Sequence, residues 1–292
     1  MSYSTFLEFS VILLSFILNL LILSPAQGVI LTWDDEAQGT GLHVAYSAER
    51  FQVRDVRLDD LDFYQRIMAN PDILKSVGSG QSSPKERVQA RVDDWVGRFQ
   101  KGLPLGRLTV CQDERPIGFG HVFGHEKPGY GEIVRVLDSS VQGQGLGTGL
   151  LGFLVKDWAP ALRNRGLGRD IDPNHPSVDK FKCFNGEALR VLYTTSRPSN
   201  PASWRAYKHF DFAPSPSDNQ EVQLTAEGWE QSQDGELEAY MTQKYFSELS
   251  SVRYASDTLY PMLDENGDPR TLSFKSEYGS LRYHYERPVE KP

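Results

Sequence analysis

The feature that most constrains the fold of this chain is a glycine-rich segment at residues 138–148. It reads DSSVQGQGLGT, follows a strand-like segment at 132–137 (EIVRVL) and precedes a leucine-rich stretch with helical spacing. Glycine lets consecutive backbone N–H groups close around phosphate oxygens, and the following helix adds the positive end of its dipole. The segment therefore predicts a strand, a pyrophosphate-binding loop and a helix. A glycine-rich turn without a ligand is the alternative.

The spacing of the glycines argues against two common nucleotide-binding loops. In the dinucleotide fingerprint G-x-G-x-x-G the third glycine would fall on Thr148, and that fingerprint normally opens a chain. The P-loop pattern is absent because the sequence contains no Gly-Lys-Ser or Gly-Lys-Thr. A nicotinamide dinucleotide and a nucleoside triphosphate are therefore poor candidates for the ligand.

The remaining elements follow from hydrophobic periodicity and capping signals. The sequence predicts strands at 51–54, 107–111, 116–123, 132–137, 188–195 and 236–246, and helices at 59–70, 84–99, 148–160 and 201–210. The glycine-rich loop thus follows the fourth strand and opens the third helix. Residues 29–50 are polar and contain glycines, which indicates a linker, and the tail at 249–292 has no apolar run long enough for its own core.

Two motifs in this order resemble the GCN5-related N-acetyltransferases (GNAT). Residues 142–147, Gln-Gly-Gln-Gly-Leu-Gly, match the family's motif A, Gln/Arg-x-x-Gly-x-Gly/Ala, at its usual place after the fourth strand. Asn200, Tyr207 and Phe212 hold the register of motif B, in which a helix ends on Gly-Phe. Asp211 replaces the usual glycine; because aspartate tolerates left-handed backbone, the turn is expected to be strained rather than lost.

The resemblance implies the fold of residues 51–248. It is an α/β (mixed α+β) GNAT fold, in which a mixed, mostly antiparallel sheet is splayed between its fourth and fifth strands and flanked by helices. Coenzyme A would enter the gap between those strands. The opening at 54–58 and the Asn-Pro-Asp at 70–72 resemble the branch that includes ribosomal-protein acetyltransferases.

The resemblance also implies acyl transfer from a thioester to an amine. An amine has a reference pKa of about 10 and must lose a proton before it attacks, and the departing thiolate benefits from an acid. Tyr207 stands where the family places that acid, and a purely packing role is its alternative. Glu132 is the candidate base, directly or through water, with Glu126 and Asp138 as rivals; an exposed strand-end carboxylate is the alternative for Glu132.

Acetyl-CoA is the co-substrate that the resemblance implies. Backbone N–H groups of Val136 and Leu137 would face the acyl carbonyl and the pantetheine, and Asn200 would reach the pantetheine arm or cap its helix. The residues expected to hold the pyrophosphate are Gln142, Gly143, Gln144, Gly145, Leu146, Gly147 and Thr148.

Charge and residue composition limit the classes of molecule that the chain is expected to bind. The net charge is −8 and no basic stripe is visible, so nucleic acid is an unlikely partner. His121 and His125 lie on a predicted strand and its turn rather than on a helix, and we expect no metal there. Cys183 lacks the surroundings of a nucleophile. Acidic residues in an insertion at 164–186 (Asp170, Asp172 and Asp179) favour a cationic amine, small molecule or peptide, although a solvated loop explains them equally well.

The amino terminus is apolar at residues 11–23, which leaves open a secretory signal, a marginal membrane anchor or a mis-assigned start within 1–28. Because acetyl-CoA is an intracellular cofactor, we expect an intracellular protein, with possible membrane contact through this segment. Two further hypotheses stand beside an N-acetyltransferase. One is an acyl-CoA-binding domain without catalysis, and the other is a membrane-tethered interaction protein.

Overall fold

The computed structural model describes residues 28–74, 77, 82–196, 200–214, 220–225, 228–229, 271–277 and 280–289. The apolar run at 11–23 and the predicted strand at 236–246 lie outside these ranges. Across the ranges that are described, no helix combines the length and the hydropathy that crossing a membrane requires.

Strands and helices alternate along the described chain. The strands are β1 (Ile30–Asp35), β2 (Thr40–Ser47), β3 (Gln52–Asp55), β4 (Leu108–Gln112), β5 (Arg115–Gly124), β6 (Tyr130–Leu137), β7 (Val191–Ser196), β8 (Ala213–Pro214), β9 (Gln220–Thr225), β10 (Gly228–Trp229), β11 (Thr271–Glu277) and β12 (Ser280–Pro288). The helices are α1 (Leu61–Ala69), α2 (Pro71–Leu74), α3 (Lys85–Gln100), α4 (Leu146–Phe153), α5 (Ala159–Gly166), α6 (Ser177–Lys180) and α7 (Pro201–His209). Short 3₁₀ turns occupy Leu58–Asp60 and Ser139–Val141.

A π-helical turn at Leu154–Trp158 joins α4 to α5. The sequence predicted that this helix would end near Pro160, but Pro160 lies in the first turn of α5. Proline is accepted there because a first-turn N–H has no acceptor within its own helix.

The sheet is antiparallel from β1 to β6 and opens between β6 and β7. These two strands pair in parallel only where Tyr130–Glu132 meets Val191–Tyr193. Beyond this, the Thr194 hydroxyl donates to the Ile133 carbonyl at 3.2 Å. The predicted fold class is confirmed: a mixed, mostly antiparallel sheet that separates between the strands predicted as fourth and fifth.

Helices cover both faces of the sheet. On one face the ring of Tyr64 in α1 lies 5.6 Å from the ring of Phe119 in β5. On the other face α4 and the π-helical turn approach so closely that a Cβ at Gly120 would lie 3.2 Å from Leu154. Successive residues of a strand point to opposite faces, so β5 and β6 offer different side chains to the two helical layers.

The segment predicted as a linker is a β-hairpin, so that prediction is wrong. β1 pairs with β2, and β2 pairs with β3 through Ala45 and Arg54. Leu42 and Val44 are fully buried, as strand alternation through Tyr46 would require. Gly39 in the turn and Gly41 at the start of β2 adopt positive φ, so the glycines that suggested a linker belong to the hairpin.

The predicted C-terminal extension is also part of the sheet rather than an appendage. β12 pairs antiparallel with β7 from Tyr283 to Pro288, and Tyr285 is among the largest fully buried side chains. A segment without its own core gains burial by joining an existing sheet, which accounts for this position.

The insertion at 164–186 packs on the turn between β1 and β2. His175 donates through Nε2 to the Glu36 carbonyl at 2.6 Å, and Lys180 donates to the Gly39 carbonyl at 2.7 Å. Two of its acids serve local structure, since Asp172 caps a turn at the Asn174 N–H and Asp179 pairs with Lys182. These contacts give Asp172 and Asp179 structural roles, and the acceptor preference drawn from the acids of the insertion remains a prediction.

Candidate functional site

The glycine-rich loop leaves β6 through the 3₁₀ turn and enters α4. Gly143 and Gly145 have φ of 76° and 79°, a left-handed conformation that favours glycine. A Cβ at Gly143 would meet nothing within 4 Å, so backbone conformation rather than packing selects glycine at this position. The loop is exposed from Gln142 to Gly145 and can be approached by a ligand.

Backbone N–H groups are concentrated at this loop. Gln142 donates to the Ser139 carbonyl, and Thr148 to the Gly145 carbonyl at 3.1 Å. In the described part of the chain, the N–H groups of residues 143–147 donate to no backbone carbonyl. Unpaired N–H groups at a helix N-terminus form an anion site. The amides that suit a pyrophosphate are therefore those from Gly143 to Gly147, a narrower set than the predicted one.

Two arginines that the sequence reasoning missed contact this loop. Arg50 donates to the Gln144 carbonyl at 2.7 Å, and Arg135 donates to the Gly147 carbonyl at 2.7 Å. Arg50 is 94 residues away in sequence, and no local pattern could have indicated it. Arg135 is a charged residue between Val134 and Val136 in β6. That alternation was the only sign in the sequence that Arg135 has a role of its own.

The end of β6 carries the residues expected to face the acyl group. Val136 and Leu137 pair with Phe119 and Gly118 of β5, and the Gln142 side chain donates to the Leu137 carbonyl at 3.0 Å. The loop is thus tied directly to the strand. The role of the Val136 and Leu137 N–H groups toward an acyl carbonyl remains a prediction.

Asn200 caps helix α7. Its side-chain oxygen accepts a hydrogen bond from the Ser203 N–H at 3.2 Å. The side-chain oxygen of Asn200 therefore caps the helix, which was one of the two predicted roles. The amide nitrogen of the same side chain is the group that would contact a pantetheine arm.

Tyr207 is held by the C-terminal cap of α7. The N–H of Phe212 donates to the Tyr207 carbonyl at 3.1 Å, and that of Asp211 donates to the Lys208 carbonyl at 3.1 Å. This is the hydrogen-bond pattern of a Schellman motif. Asp211 has φ of 58°, so the expected left-handed turn is confirmed. The Tyr207 side chain is 4 % exposed, and its ring lies 5.7 Å from that of Tyr285.

Glu132 lies where β6 and β7 part. It is half-buried and pairs with Phe123 on one side and Tyr193 on the other. In a strand, side chains at odd and even positions face opposite ways, so Glu132 and Arg135 lie on opposite faces of the sheet. Because Arg135 contacts the Tyr207 ring, the candidate base and acid flank the opening from its two sides.

The rivals of Glu132 differ in their surroundings. Asp138 accepts hydrogen bonds from the Ser140 N–H at 3.0 Å and from its hydroxyl at 2.8 Å. The Ser140 N–H, with the Ser140 hydroxyl and Arg66, holds the pKa of this carboxyl below its usual value. A weakly basic, capped carboxylate is a poor general base. Glu126 is exposed on the loop between β5 and β6.

The other reactive groups are structural. Burial raises the pKa of the Cys183 thiol to about 12, which disfavours the thiolate that a nucleophile needs. His121 is buried in β5 with its ring 4.9 Å from that of Phe123. Over the part of the chain that is described, no group of three or more His, Cys, Asp or Glu side chains is arranged to hold a metal ion.

Comparison with known proteins concerns the same region. Residues 50–213 match the family model described as Acetyltransferase (GNAT) domain. Among solved structures, similarity is found to a GNAT-family acetyltransferase from Bacillus anthracis (TM-score 0.46, 10 % identity, covering 85 % of this chain and 99 % of that one). It is also found to a ribosomal-protein-S5-alanine acetyltransferase from Vibrio fischeri (TM-score 0.47, 12 % identity, 85 % and 99 % covered). Among curated proteins, no match to this sequence is found.

Proposed function

The chain belongs to the GNAT acetyltransferase family, and we propose that it transfers the acetyl group of acetyl-CoA directly to a primary amine. The observation that supports this most is the position of Arg135. Its guanidinium carbon lies 5.4 Å over the Tyr207 ring, while Nη1 donates to the Gly147 carbonyl in the phosphate loop. A pantetheine arm that starts at the loop and follows Arg135 would bring its thioester to Tyr207.

The fit to acetyl-CoA rests on charge and on hydrogen-bond donors. The N–H groups of residues 143–147 point out of a helix N-terminus, and Arg50 borders them. Nε and Nη2 of Arg135 are buried and have no partner in the structure. Hydrogen bonds to a charged group stabilise by about 1.5–3 kcal/mol each, so a pyrophosphate would satisfy donors that are otherwise costly to bury.

The proposed reaction has four parts. Glu132, directly or through a water molecule, accepts the proton of the incoming amine, whose nitrogen forms a bond to the acyl carbon. The Leu137 N–H stabilises the oxyanion, because N–H groups alternate along β6 and that of Val136, like that of Asp138, faces β5. The carbon–sulfur bond then breaks as the carbonyl re-forms. Tyr207 donates its phenolic proton to the departing sulfur, and the amide and free CoA leave.

The burial of Tyr207 favours a second candidate function. A tyrosine that is 4 % exposed, with its ring against Phe212 and Tyr285, is packed as a core residue would be. If packing is its whole role, the domain would bind acyl-CoA without catalysis.

A paired measurement separates the two functions. Calorimetry with acetyl-CoA tests the loop, and a thiol-detecting screen over small amines and peptide N-termini tests transfer. We expect specific binding together with amine-dependent release of CoA. Binding without release for any amine would leave the non-catalytic function, and absence of binding would contradict both.

A further inference from the structure

Arg107 is a half-buried cation that is paired with no acid among the described residues. It immediately precedes β4, and its guanidinium carbon lies 4.0 Å from the ring centroids of both Trp95 and Phe119. Its Nε and Nη1 are buried and have no hydrogen-bond partner, and no ion pair joins Arg107 to an acid among the described residues. Burial lowers the pKa of this guanidinium to about 10. The two rings stabilise its positive charge by cation–π contact, but no carboxylate of the described residues neutralises it.

His121 is the cross-strand neighbour of Arg107. The pairing of Leu108 with Gly120 puts residue 107 opposite residue 121, on the face covered by α1 and α3. His121 is 8 % exposed, and its buried Nδ1 has no partner among the described residues. Burial, with the charges of Arg107 and Arg98, keeps the pKa of this imidazole well below its usual value. The ring is therefore neutral beside the guanidinium.

The surroundings of this pair are positive although the chain is acidic overall. The charge of Arg91 in α3 acts on Arg107, and that of Arg98 acts on His121. Arg98 has its own partner in Asp94 at 2.8 Å. Folded proteins rarely leave buried donors and charges unpaired. Arg107 offers two unpaired donors, and His121 offers a third when its proton is on Nδ1, so the partner that fits this pair is an anion.

The pair lies on the same face of the sheet as Glu132. His121 pairs with Val134, and Phe123, two residues further along β5, pairs with Glu132. From the strand spacing and rise, the Cα atoms of Arg107 and Glu132 are roughly 12 Å apart. The two side chains project from one face, so a short molecule could present an amine to Glu132 and a second group to Arg107.

We propose that Arg107 and His121 bind an anionic group of the acceptor, so that the substrate is an amine whose other end carries a carboxylate or a phosphate-like group. This inference rests on the proposed function because Glu132 defines the amine end. It adds an anionic group to the cationic amine that the acids of the insertion favour. The alternative is that Arg107 serves only to clamp Trp95 and Phe119 by stacking.

The test measures binding rather than turnover, on the full chain saturated with CoA. Short ω-amino carboxylates, the matching neutral amides and the matching ω-aminoalkylphosphonates are titrated by calorimetry, with melting temperature as a second readout. The variants are Arg107→Gln and Arg107→Met, which keeps apolar contact with both rings. Arg87→Gln is the matched control because Arg87 is an exposed arginine of α3.

We expect wild type and Arg87→Gln to prefer one anionic series over the amides, with affinity falling on the order of tenfold to a hundredfold in Arg107→Met. Preference for the carboxylates or for the phosphonates identifies the anion. The inference is overturned if wild type binds amides and anions equally, or if Arg107→Met lowers the melting temperature and keeps the preference. Failure of wild type to bind CoA would instead contradict the proposed function.

Discussion

The backbone N–H of Phe212 donates to the carbonyl of Tyr207, and the two rings lie 5.5 Å apart. One left-handed residue, Asp211, brings these groups together and so fixes the position of the candidate acid. The conformation at Asp211 is therefore coupled to the placement of Tyr207. The cap stabilises the end of α7 and, in the proposed mechanism, also positions the acid.

Asp211→Gly should raise the free energy of unfolding by about 0.5–1 kcal/mol, because glycine adopts positive φ without strain. Asp211→Val should lower it by about 1–2 kcal/mol and reduce turnover by displacing Tyr207. Urea denaturation of the three proteins checks the order. Equal stability of the glycine and valine variants would show that the cap is not under conformational strain.

The variant Tyr207→Phe distinguishes a role of Tyr207 as general acid from a role in packing alone. If the hydroxyl protonates the thiolate, kcat should fall on the order of 10²–10⁴-fold with acetyl-CoA affinity little changed. Tyr285→Phe is the control, since it removes a hydroxyl from the neighbouring ring. The assay needs a true acceptor, because slow thioester hydrolysis could bypass the acid. Unchanged turnover in Tyr207→Phe would assign that residue to packing and leave water as the acid.

Gly145→Gln tests the phosphate loop. A side chain there must adopt φ of 79°, and its Cβ would lie 3.9 Å from Arg50. It would obstruct several amide donors, so we expect acetyl-CoA affinity to fall on the order of 100-fold. Gly97→Gln, at an open position in α3, is the matched control. Calorimetry that finds equal affinity in both variants would exclude the loop as the pyrophosphate site.

Arg50→Gln tests the arginine that borders the loop. An exposed cation near a phosphate stabilises modestly and is screened by salt, so we expect a loss of roughly three- to tenfold at low ionic strength. The difference from wild type should shrink as salt is added. Arg115→Gln, which removes an exposed charge from the first residue of β5, is the control. Equal affinity of Arg50→Gln and wild type at low salt would limit Arg50 to its hydrogen bond with Gln144.

Local signals account for the parts of the fold that the sequence predicted. The strand, glycine-rich loop and helix at 132–153 follow from adjacent residues, and so does the capped helix from Asn200 to Asp211. Both segments depend on local backbone conformations that individual residues, such as a glycine in a turn or a capping asparagine, favour. The position of Glu132 at the opening followed from the family resemblance, which places a glutamate at the start of the fourth strand.

Contacts between distant segments account for what was missed. The alternation of Leu42, Val44 and Tyr46 was visible, but the nearby glycines and acids outweighed it and suggested a linker. Nothing near Arg50 indicates Gln144, and nothing near Tyr285 indicates β7. The unpaired donors of Arg107 appear only when α3, β4 and β5 are folded together, because a lone arginine before a strand is ordinary in sequence.

His43 offers a pH-dependent test of the β1–β2 hairpin. Its Nε2 lies 3.0 Å from Asp34, and its Nδ1 lies 3.4 Å from Asp55. Burial disfavours the charged imidazole, but the hydrogen bonds and charges of Asp34 and Asp55 outweigh this and raise the pKa of His43. The raised pKa means that the charged form is more stable in the folded chain than in the unfolded chain.

The contribution of His43 to stability should therefore be complete below its unfolded pKa of about 6.5 and disappear as pH rises through the higher folded pKa. Because half of the side chain is exposed, we expect only a few tenths of a kcal/mol after allowing for solvent screening. Urea midpoints measured at about pH 5.5 and pH 8.5 should show His43→Gln losing stability relative to wild type only at the lower pH. His209→Gln, at an exposed histidine at the end of α7, is the control. A deficit of His43→Gln that is equal at both pH values would show that the histidine acts through neutral hydrogen bonds.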